Sequence, residues 1–527
     1  MFGRKIGFFD GGSCSLGSND STAEVKQKAT GDFGWWLCYF VIYLLVYFPL
    51  FQRGGMHWDE VLDAGGAANG TYIAAGRWGL ALYRWLFEVG YVPWTSGIIA
   101  GVYIATALVV QYKLFGIFSR SGRFLYGAVY IGCIQWASQL QYSHQSDAVA
   151  LALLCVTAVA YLLTLKCWRS GVLAVGLTVY ACSVYQTAML YLLVVWMLRL
   201  MTEQTPVLTE WRSHVRSLLL VFVAGVLYLV SRAVSKSLPM VSETDICCVR
   251  MVQTYMSKWD EIMAAPSLGD KVDLWIFYTV CYTKVIIKNL LGLKYEGQWV
   301  YATAMWPVLG LLRRYLCGKR DVIRAMLLLL VWTVPFVMSL IVMTDQGARV
   351  SLAEPLSVAG IWALYLKNLK NWNNSVLWRW TMVVLGGWVV LKSGYRCAVI
   401  AEDEKNIYLS KMENLGSLNA RILAVAESAN MSSPSVIYFG DLPTKTWNPY
   451  IKRWGHYREC ESIIRLPNGR FPGGGMLQCG NTMRKCSADE ASLYGKIVKD
   501  MPTWPAPGSV AGCGNAVLVR FADAVSE

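Results

Sequence analysis

Residues 34–60 read GWWLCYFVIYLLVYFPLFQRGGMHWDE, an apolar run that passes abruptly into a polar segment. The run over 34–51 contains no charged residue, and it approaches the ~20 apolar residues that a helix needs to cross a bilayer. Asp59 and Glu60 follow it almost immediately. The stretch therefore predicts a membrane-spanning helix with a pair of carboxylates just outside the membrane.

Further apolar runs lie on the C-terminal side of this first one. They cover approximately 95–117, 123–140, 147–165, 171–200, 216–233, 299–313, 323–343, 352–366 and 376–393. Of the 527 residues, 55% are hydrophobic, 13% are aromatic and only 16% are charged, whereas a soluble domain carries about 25% charged residues. This composition excludes an ordinary soluble enzyme and a disordered chain, and it predicts a polytopic α-helical membrane protein.

The net charge of +14 is unevenly distributed along the chain. Residues 397–527 hold 14 Lys and Arg against 13 Asp and Glu, so they contribute +1 and the remaining chain contributes +13. Basic residues beside apolar runs set topology and contact lipid headgroups. We therefore expect membrane lipids as partners and no nucleic acid.

The positions of Lys and Arg predict the topology. The segments expected on the cytoplasmic side are marked by Arg4, Lys5, Lys26, Lys28, Arg120, Arg123, Lys166, Arg169, Arg199, Arg212, Arg216, Arg313, Arg314, Lys319, Arg320, Arg324, Lys367 and Lys370. Alternation then requires the run 171–200 to turn back near Tyr185 and Gln186. It also requires 237–298 to stay external, with its apolar piece 274–291 as an interfacial helix that carries Lys284 and Lys288.

The resulting topology has about eleven transmembrane helices, a long first external loop, an N-terminus inside and a C-terminus outside. The predicted domains are a cytoplasmic tail over 1–32, a transmembrane domain over 33–393 and a small external α/β domain over 394–527. In that last domain, helix-period sequence over 402–429 precedes two short strand-like stretches, SPSVIYFG (433–440) and NAVLVRFA (515–522). Its cysteines, Cys460, Cys479, Cys486 and Cys513, allow three disulfide pairings in an oxidising compartment.

The first external loop, 52–94, contains His57, Asp59, Glu60 and Arg77. One carboxylate of a pair can remove a proton from an attacking hydroxyl while its neighbour orients the reacting groups. The alternative is that both carboxylates are solvated loop residues without a catalytic role.

Other polar residues are expected at the same membrane face. His144 and Asp147 precede a long apolar run, where Asp147 is either a site acid or the cap of a helix that begins at Ala148. Tyr185 and Gln186 either hydrogen-bond a sugar or satisfy broken helix ends.

A single arginine, Arg349, lies in the last external loop over 344–355. It either binds a lipid phosphate or extends its charge towards the membrane surface from an apolar environment.

The order of these motifs resembles a known family. The motifs are Asp59-Glu60, Asn69-Gly70, Gly76-Arg77-Trp78, Tyr142-Ser143-His144-Gln145-Ser146-Asp147 and Tyr185-Gln186. Over residues 33–393 the chain resembles the bacterial polytopic glucosyltransferases of the serotype-conversion type, which modify O-antigen and related surface glycans and belong to the GT-C class of membrane glycosyltransferases. It differs in having Asp-Glu where Asp-Asp is common and Ser-Asp in place of Asp-Ser.

The resemblance implies a GT-C-like fold in the bacterial inner membrane, with the C-terminal domain in the periplasm. It also implies a polyprenyl-phosphate-linked donor, undecaprenyl-phosphate glucose, and a periplasmic glycan acceptor. Asp59 is then the general base with Glu60 second, and Asp147 is the acid of the second motif.

Arg77 and Arg349, together with Lys284 and Lys288, are expected to hold the donor phosphate. Because these cations can neutralise a monophosphate, we expect no cofactor and no metal, although a divalent ion between Asp59, Glu60 and Asp147 is the alternative. A lipid-linked glycan flippase and a non-catalytic membrane scaffold are the competing functions. Polar residues that gather at the external loops, rather than along the spans, favour the enzyme.

Overall fold

The computed structural model describes residues 22–52, 68–87, 93–117, 119–140, 142–165, 167–202, 211–242, 258–293, 299–318, 321–341, 351–368, 376–431, 435–440, 484–485 and 488–521. The chain divides into two compact units. The first comprises Met1–Phe51 and Ala68–Cys397, and the second comprises Gln52–Ala67 and Ala398–Glu527.

The first unit is helical throughout its described part. Its helices are α1 (Thr22–Phe51), α2 (Ala68–Ala74), α3 (Trp78–Phe87), α4 (Pro93–Leu114), α5 (Arg120–Ile131), α6 (Ile134–Leu140), α7 (Ser143–Leu162), α8 (Trp168–Val184), α9 (Ala188–Thr202), α10 (Trp211–Ser235), α11 (Trp259–Ala264), α12 (Leu268–Leu290), α13 (Trp299–Ala302), α14 (Met305–Arg313), α15 (Val322–Ile341), α16 (Ala353–Asn368) and α17 (Val376–Ser428). Helix α17 continues from the first unit into the second. The predicted domain boundary at 393/394 lies within this helix, and the predicted domain organisation stays a prediction.

Several of these helices are long and apolar, as expected of a membrane protein. In the described ranges, five segments have the length and composition to cross a bilayer: Gly31–Phe51, Trp94–Leu114, Gln145–Leu162, Arg212–Ser235 and Val376–Asp403. Shorter apolar helices cover Trp168–Val184, Ala188–Thr202 and Val322–Val337. The count of eleven spans stays a prediction.

Two predicted apolar runs are interrupted. The run 171–200 forms two helices separated at Tyr185–Thr187, which confirms the predicted break. The run 123–140, expected as one span, is instead divided between α5 and α6 at Gly132. A side chain at Gly132 would collide with Val389 of α17, and the Ser393 hydroxyl donates to the Gly132 carbonyl at 2.7 Å. Close approach of α17 therefore accompanies this break.

The helices of the first unit share two ends. At one end, hereafter the Lys367 end, the Lys367 ammonium donates to the carbonyls of Phe115 (3.3 Å) and Thr202 (3.2 Å). Helices α4, α9 and α16 all terminate there. The structure thus brings together three segments that the sequence predicts to be cytoplasmic.

The opposite end, hereafter the Asp147 end, contains the beginnings of α4 and α7. The Ser96 hydroxyl of α4 points to Asp147 of α7. Along the same two helices, the Gln111 amide donates to Thr157 at 3.0 Å, so α4 and α7 run parallel. Asp147, one of the residues predicted to form a site, lies at this end.

The second unit contains a small mixed sheet with the strand order β2-β1-β4-β3. Its strands are β1 (Ser435–Phe439), β2 (Arg484–Lys485), β3 (Val510–Cys513) and β4 (Ala516–Arg520), and helix α18 covers Ala488–Asp500. β1 pairs in parallel with β2 and β4, whereas β3 and β4 form an antiparallel hairpin. Both strands expected from the sequence are therefore present.

Side chains alternate between the two faces of this sheet, as strand geometry requires. Val436 and Tyr438 pack in one cluster with Leu418 and Ile422 of α17. Ile437 and Phe439 pack in another with residues of α18, including Val498. Both faces of the central strand are thus covered by helices.

Candidate functional site

Asp147 does not cap a helix, which was one of the two roles that the sequence left open for it. Helix α7 begins at Ser143 and is preceded by Tyr142. The amides of Gln145 and Ser146 both donate to the Tyr142 carbonyl at 3.0 Å, so the first turn is already closed before Asp147. The alternative that Asp147 caps a helix beginning at Ala148 is therefore wrong.

The Asp147 carboxylate is buried, with 1% of the residue exposed, where α3, α4 and α7 converge. Its Oδ2 atom accepts hydrogen bonds from the Tyr83 hydroxyl at 3.1 Å and the Ser96 hydroxyl at 3.5 Å. Its Oδ1 atom accepts from the Ala148 amide at 2.9 Å. A buried carboxylate needs such donors, because an unsatisfied charge is expensive to desolvate. The three donors hold Asp147 in one orientation.

Helix α3 supplies further groups to Asp147 that sequence reasoning missed. Burial and the Asp147 carboxylate raise the pKa of Tyr83, so its hydroxyl stays protonated and donates. The adjacent Arg84 guanidinium acts electrostatically on Asp147. The available signal was the helix period of 78–87, which buries Gly79, Leu80 and Tyr83 and exposes Trp85, Leu86 and Phe87.

Arg77, Tyr185 and Gln186, three of the predicted substrate-binding residues, are brought together. Gly76 has φ +81° in the turn between α2 and α3, a left-handed conformation that favours glycine. The following Arg77 guanidinium lies over the Tyr185 ring, 5.1 Å from its centroid. The Gln186 amide donates to the Ala75 carbonyl at 3.1 Å. The turn between α2 and α3 therefore packs against the break between α8 and α9.

A second arginine, Arg232 of α10, was missed by the sequence analysis. Its side chain packs on Gly76, where a Cβ atom would lie 2.7 Å from Arg232 Cγ. Tyr228, one helical turn earlier, donates to the Gly76 carbonyl at 3.3 Å, and both arginines act electrostatically on its hydroxyl. The Nε atoms of Arg77 and Arg232 are buried and have no hydrogen-bond partner in the described part of the chain.

Three glutamine side chains near the start of α7 are also buried without full hydrogen bonding. We call them the α6–α7 amides: Gln135 and Gln139 on α6, and Gln145 on α7. Gln139 is fully buried, and both its amide nitrogen and its oxygen lack a partner among the described residues. The Gln135 nitrogen and the Gln145 oxygen are unpaired in the same sense. Such groups are rare in folded proteins and point to a missing polar partner.

A buried carboxylate that the sequence reasoning did not single out is Glu354, in the first turn of α16. It acts electrostatically on Cys133, beside the α5–α6 break, and on Tyr301. The position lies within the last external loop of the predicted topology, over 344–355, for which Arg349 is the predicted site residue.

The structure does not show the remaining predicted site residues in contact with Arg77 or Asp147, within the ranges that it describes. Lys284 and Lys288 are exposed on α12, which packs against α15 and α11. No hydrogen bond or ring contact of the described residues links them to Arg77 or Asp147. His57, Asp59, Glu60 and Arg349 lie outside the described residues, and of His144 only its place in the first turn of α7 is described.

Comparison with known proteins gives one match. The family model described as glucosyl transferase GtrII matches residues 59–366, which is more than half of the chain. This match confirms the resemblance inferred from the motifs. No curated protein matches the chain, and neither does any solved structure.

Proposed function

Since the chain belongs to the glucosyl transferase GtrII family, we propose that it moves a glucosyl group from a polyprenyl-phosphate donor to a periplasmic glycan such as O-antigen. Membership of the family implies a sugar donor and a glycan acceptor. In this proposal the protein lies in the bacterial inner membrane, with the Asp147 end facing the periplasm and the Lys367 end facing the cytoplasm. The N-terminus is then cytoplasmic and the C-terminal sheet is periplasmic.

The observation that carries the proposal is the pair formed by Arg77 and Arg232 around Gly76. Both guanidinium groups have a buried Nε atom without a hydrogen-bond partner among the residues that the structure describes. A guanidinium binds phosphate through two parallel hydrogen bonds. In a polyprenyl-phosphate sugar the phosphate is both the membrane anchor and the leaving group, so two arginines would hold the donor and offset the charge that develops on it. Arg349, Lys284 and Lys288 are further candidates for phosphate or headgroup contacts.

The α6–α7 amides and the Tyr185–Gln186 break supply groups for the sugar. Hydroxyl groups both donate and accept hydrogen bonds, so a hexose can satisfy an amide nitrogen and an amide oxygen at once. Because a buried unpaired amide costs about 1–3 kcal/mol in the absence of a ligand, binding of the sugar would recover that cost. His57 and His144 are additional candidates for acceptor contacts.

For the chemical step we propose Asp59 as the general base, with Glu60 as the second choice. The base removes the proton of the acceptor hydroxyl while the sugar–phosphate bond breaks, and the phosphate leaves on the polyprenyl carrier. Asp147 already accepts three hydrogen bonds, so we assign it to orienting Tyr83 and to maintaining negative charge near the reacting groups. The cations named above replace a metal ion in this scheme.

The test is transfer by the purified full-length protein in nanodiscs. We expect radiolabelled glucose to pass from synthetic polyprenyl-phosphate glucose, and not from UDP-glucose, to a glycan acceptor. Asp59→Asn should lower turnover by about 100-fold or more, whereas Asp63→Asn, an acid of the same loop, should retain it. Movement of the lipid across the bilayer without transfer would indicate a flippase instead. Absence of both activities would favour a scaffold.

A further inference from the structure

A cavity of about 470 Å³ opens between α14 and α16 at the Lys367 end. It is far along the helices from Asp147, because α16 begins at Ala353 and this cavity is lined by Tyr365 and Asn368, near its last residue. The volume is within the range of about 300–1,000 Å³ that small-molecule sites occupy. The proposed glucosyl transfer makes no use of it.

The wall formed by α14 is basic. Arg313 and Arg314 both line the cavity, and neither pairs with an acid among the described residues. Arg324, in contrast, contacts Asp321 at 3.0 Å. Arg314 donates through Nη1 to the Asn368 carbonyl, while its Nε is buried without a partner in the described ranges. One of these two guanidinium groups is thus fixed by the fold with donor capacity to spare.

The backbone at this point departs from α-helical geometry. Helix α14 passes at Arg314 into a π-helical turn, Arg314–Gly318, a feature that is rare and frequently found at functional sites. Gly310 lets the Tyr365 ring approach closely, since a Cβ atom there would lie 2.7 Å from the ring. The cavity therefore lies where α14 contacts α16 and where α14 passes into the π-helical turn.

The surroundings of the cavity are apolar. Trp306 and Leu309 of α14 are 71% and 58% exposed, and Leu316 of the π-helical turn is 48% exposed. A ligand with a phosphate at the arginines and hydrocarbon along this surface matches both features. We propose that the cavity binds the phosphate of an acidic phospholipid headgroup at the cytoplasmic face.

Cys317 provides the test, because it is exposed and lines the cavity. The full chain is placed in nanodiscs of phosphatidylcholine alone or with phosphatidylglycerol, and alkylation of Cys317 is followed by peptide mass spectrometry. We expect phosphatidylglycerol to slow alkylation about tenfold, as a site about 90% occupied requires. Cys167, at the same end and near Arg216, reports the general effect of surface charge and should slow much less.

Variants distinguish lipid binding in the cavity from a general effect of the charged membrane surface. Arg313→Gln, which removes no hydrogen bond found among the described residues, should abolish most of the protection of Cys317, and Arg313→Lys should retain part of it. The Arg313→Gln,Arg314→Gln double variant should retain fewer phosphatidylglycerol molecules in native mass spectrometry. Equal slowing at Cys317 and Cys167, or full protection in Arg313→Gln, would overturn the proposal. Protection by inorganic phosphate in phosphatidylcholine discs would also overturn it, because the ligand would then be free phosphate.

Discussion

Gln111 and the α6–α7 amides are all buried in the first unit, but they differ in their hydrogen bonding. Gln111, in the last turn of α4, donates to Thr157 at 3.0 Å and to Tyr191 at 2.6 Å, and it accepts from Tyr126 at 2.6 Å. Tyr191 in turn bonds Tyr130 at 2.6 Å. The α6–α7 amides are just as deeply buried, yet four of their six polar atoms lack a partner in the described part of the chain.

We interpret the difference as one between polar groups that hold the fold and polar groups that bind a ligand. A fully satisfied buried network fixes helix positions and register, whereas a half-satisfied one costs stability. Gln111 joins α4 to α5, α7 and α9. Four unpartnered atoms among the described residues are expected to cost stability, and we interpret that cost as the signature of a binding site at the Asp147 end.

The largest effect on activity is expected when the two arginines at Gly76, Arg77 and Arg232, are replaced. Arg77→Ala,Arg232→Ala should lower kcat/KM for polyprenyl-phosphate glucose by about 100-fold or more, because two donors to the departing phosphate are lost. Steady-state transfer in nanodiscs measures this. Arg216→Gln, at the opposite end of α10, is the matched control and should change kcat/KM little. A similar loss in both proteins would mean that the effect is structural.

A smaller loss of activity is expected for Gln139→Leu. The substitution removes an amide whose nitrogen and oxygen both lack a partner within the described ranges, so the melting temperature should stay the same or rise. Sugar contacts are lost at the same time, and transfer should fall about tenfold, equivalent to about 1.4 kcal/mol. Thermal unfolding and transfer are measured on one preparation. A clear drop in melting temperature with unchanged transfer would reverse the assignment of this amide.

Gln111→Leu should show the opposite pattern. It leaves the hydroxyls of Tyr126 and Tyr191 without their amide partner, and we expect a loss of about 1–3 kcal/mol in the free energy of unfolding. Transfer per folded molecule should stay near the wild-type value. Denaturant unfolding in mild detergent measures the free energy of unfolding. If Gln111→Leu were as stable as the wild type and inactive, the distinction between Gln111 and the α6–α7 amides would be lost.

The smallest effect concerns metal ions. Since the proposed phosphate contacts are guanidinium and ammonium groups, EDTA should leave the rate of transfer unchanged within about twofold. Rates are compared before and after chelation and after manganese or magnesium is restored. Activity that disappears with EDTA and returns with either metal would require an ion among the carboxylates Asp59, Glu60 and Asp147.

Much of the fold follows from local sequence signals. The apolar runs predict the long helices, and the polar Tyr185–Gln186 pair inside a 30-residue run (171–200) predicts the break between α8 and α9. The stretches 433–440 and 515–522 predict the strands β1 (Ser435–Phe439) and β4 (Ala516–Arg520). These signals are local because periodicity and hydropathy depend on neighbouring residues alone.

The site was only partly predictable, because its contacts join distant segments. Arg232 ends an apolar run and has the sequence signature of a residue that merely reaches towards the membrane surface. Only the approach of Gly76, 156 residues earlier in the chain, makes it a partner of Arg77. The sequence analysis included Gln135 and Gln139 in a single apolar run over 123–140. Hydropathy cannot show that α17 approaches Gly132 closely, where α5 ends before α6 begins.

In the proposed function, glucosyl transfer takes place at the Asp147 end. The most direct measurement is the rate at which Asp147→Asn transfers glucose from synthetic polyprenyl-phosphate glucose, normalised to the folded fraction in the same nanodiscs. We predict a loss of about 100-fold or more, because the neutral amide no longer provides the charge and the acceptors that orient Tyr83. A folded Asp147→Asn protein with a rate within about twofold of wild type, well below any general acid–base contribution, would contradict the claim.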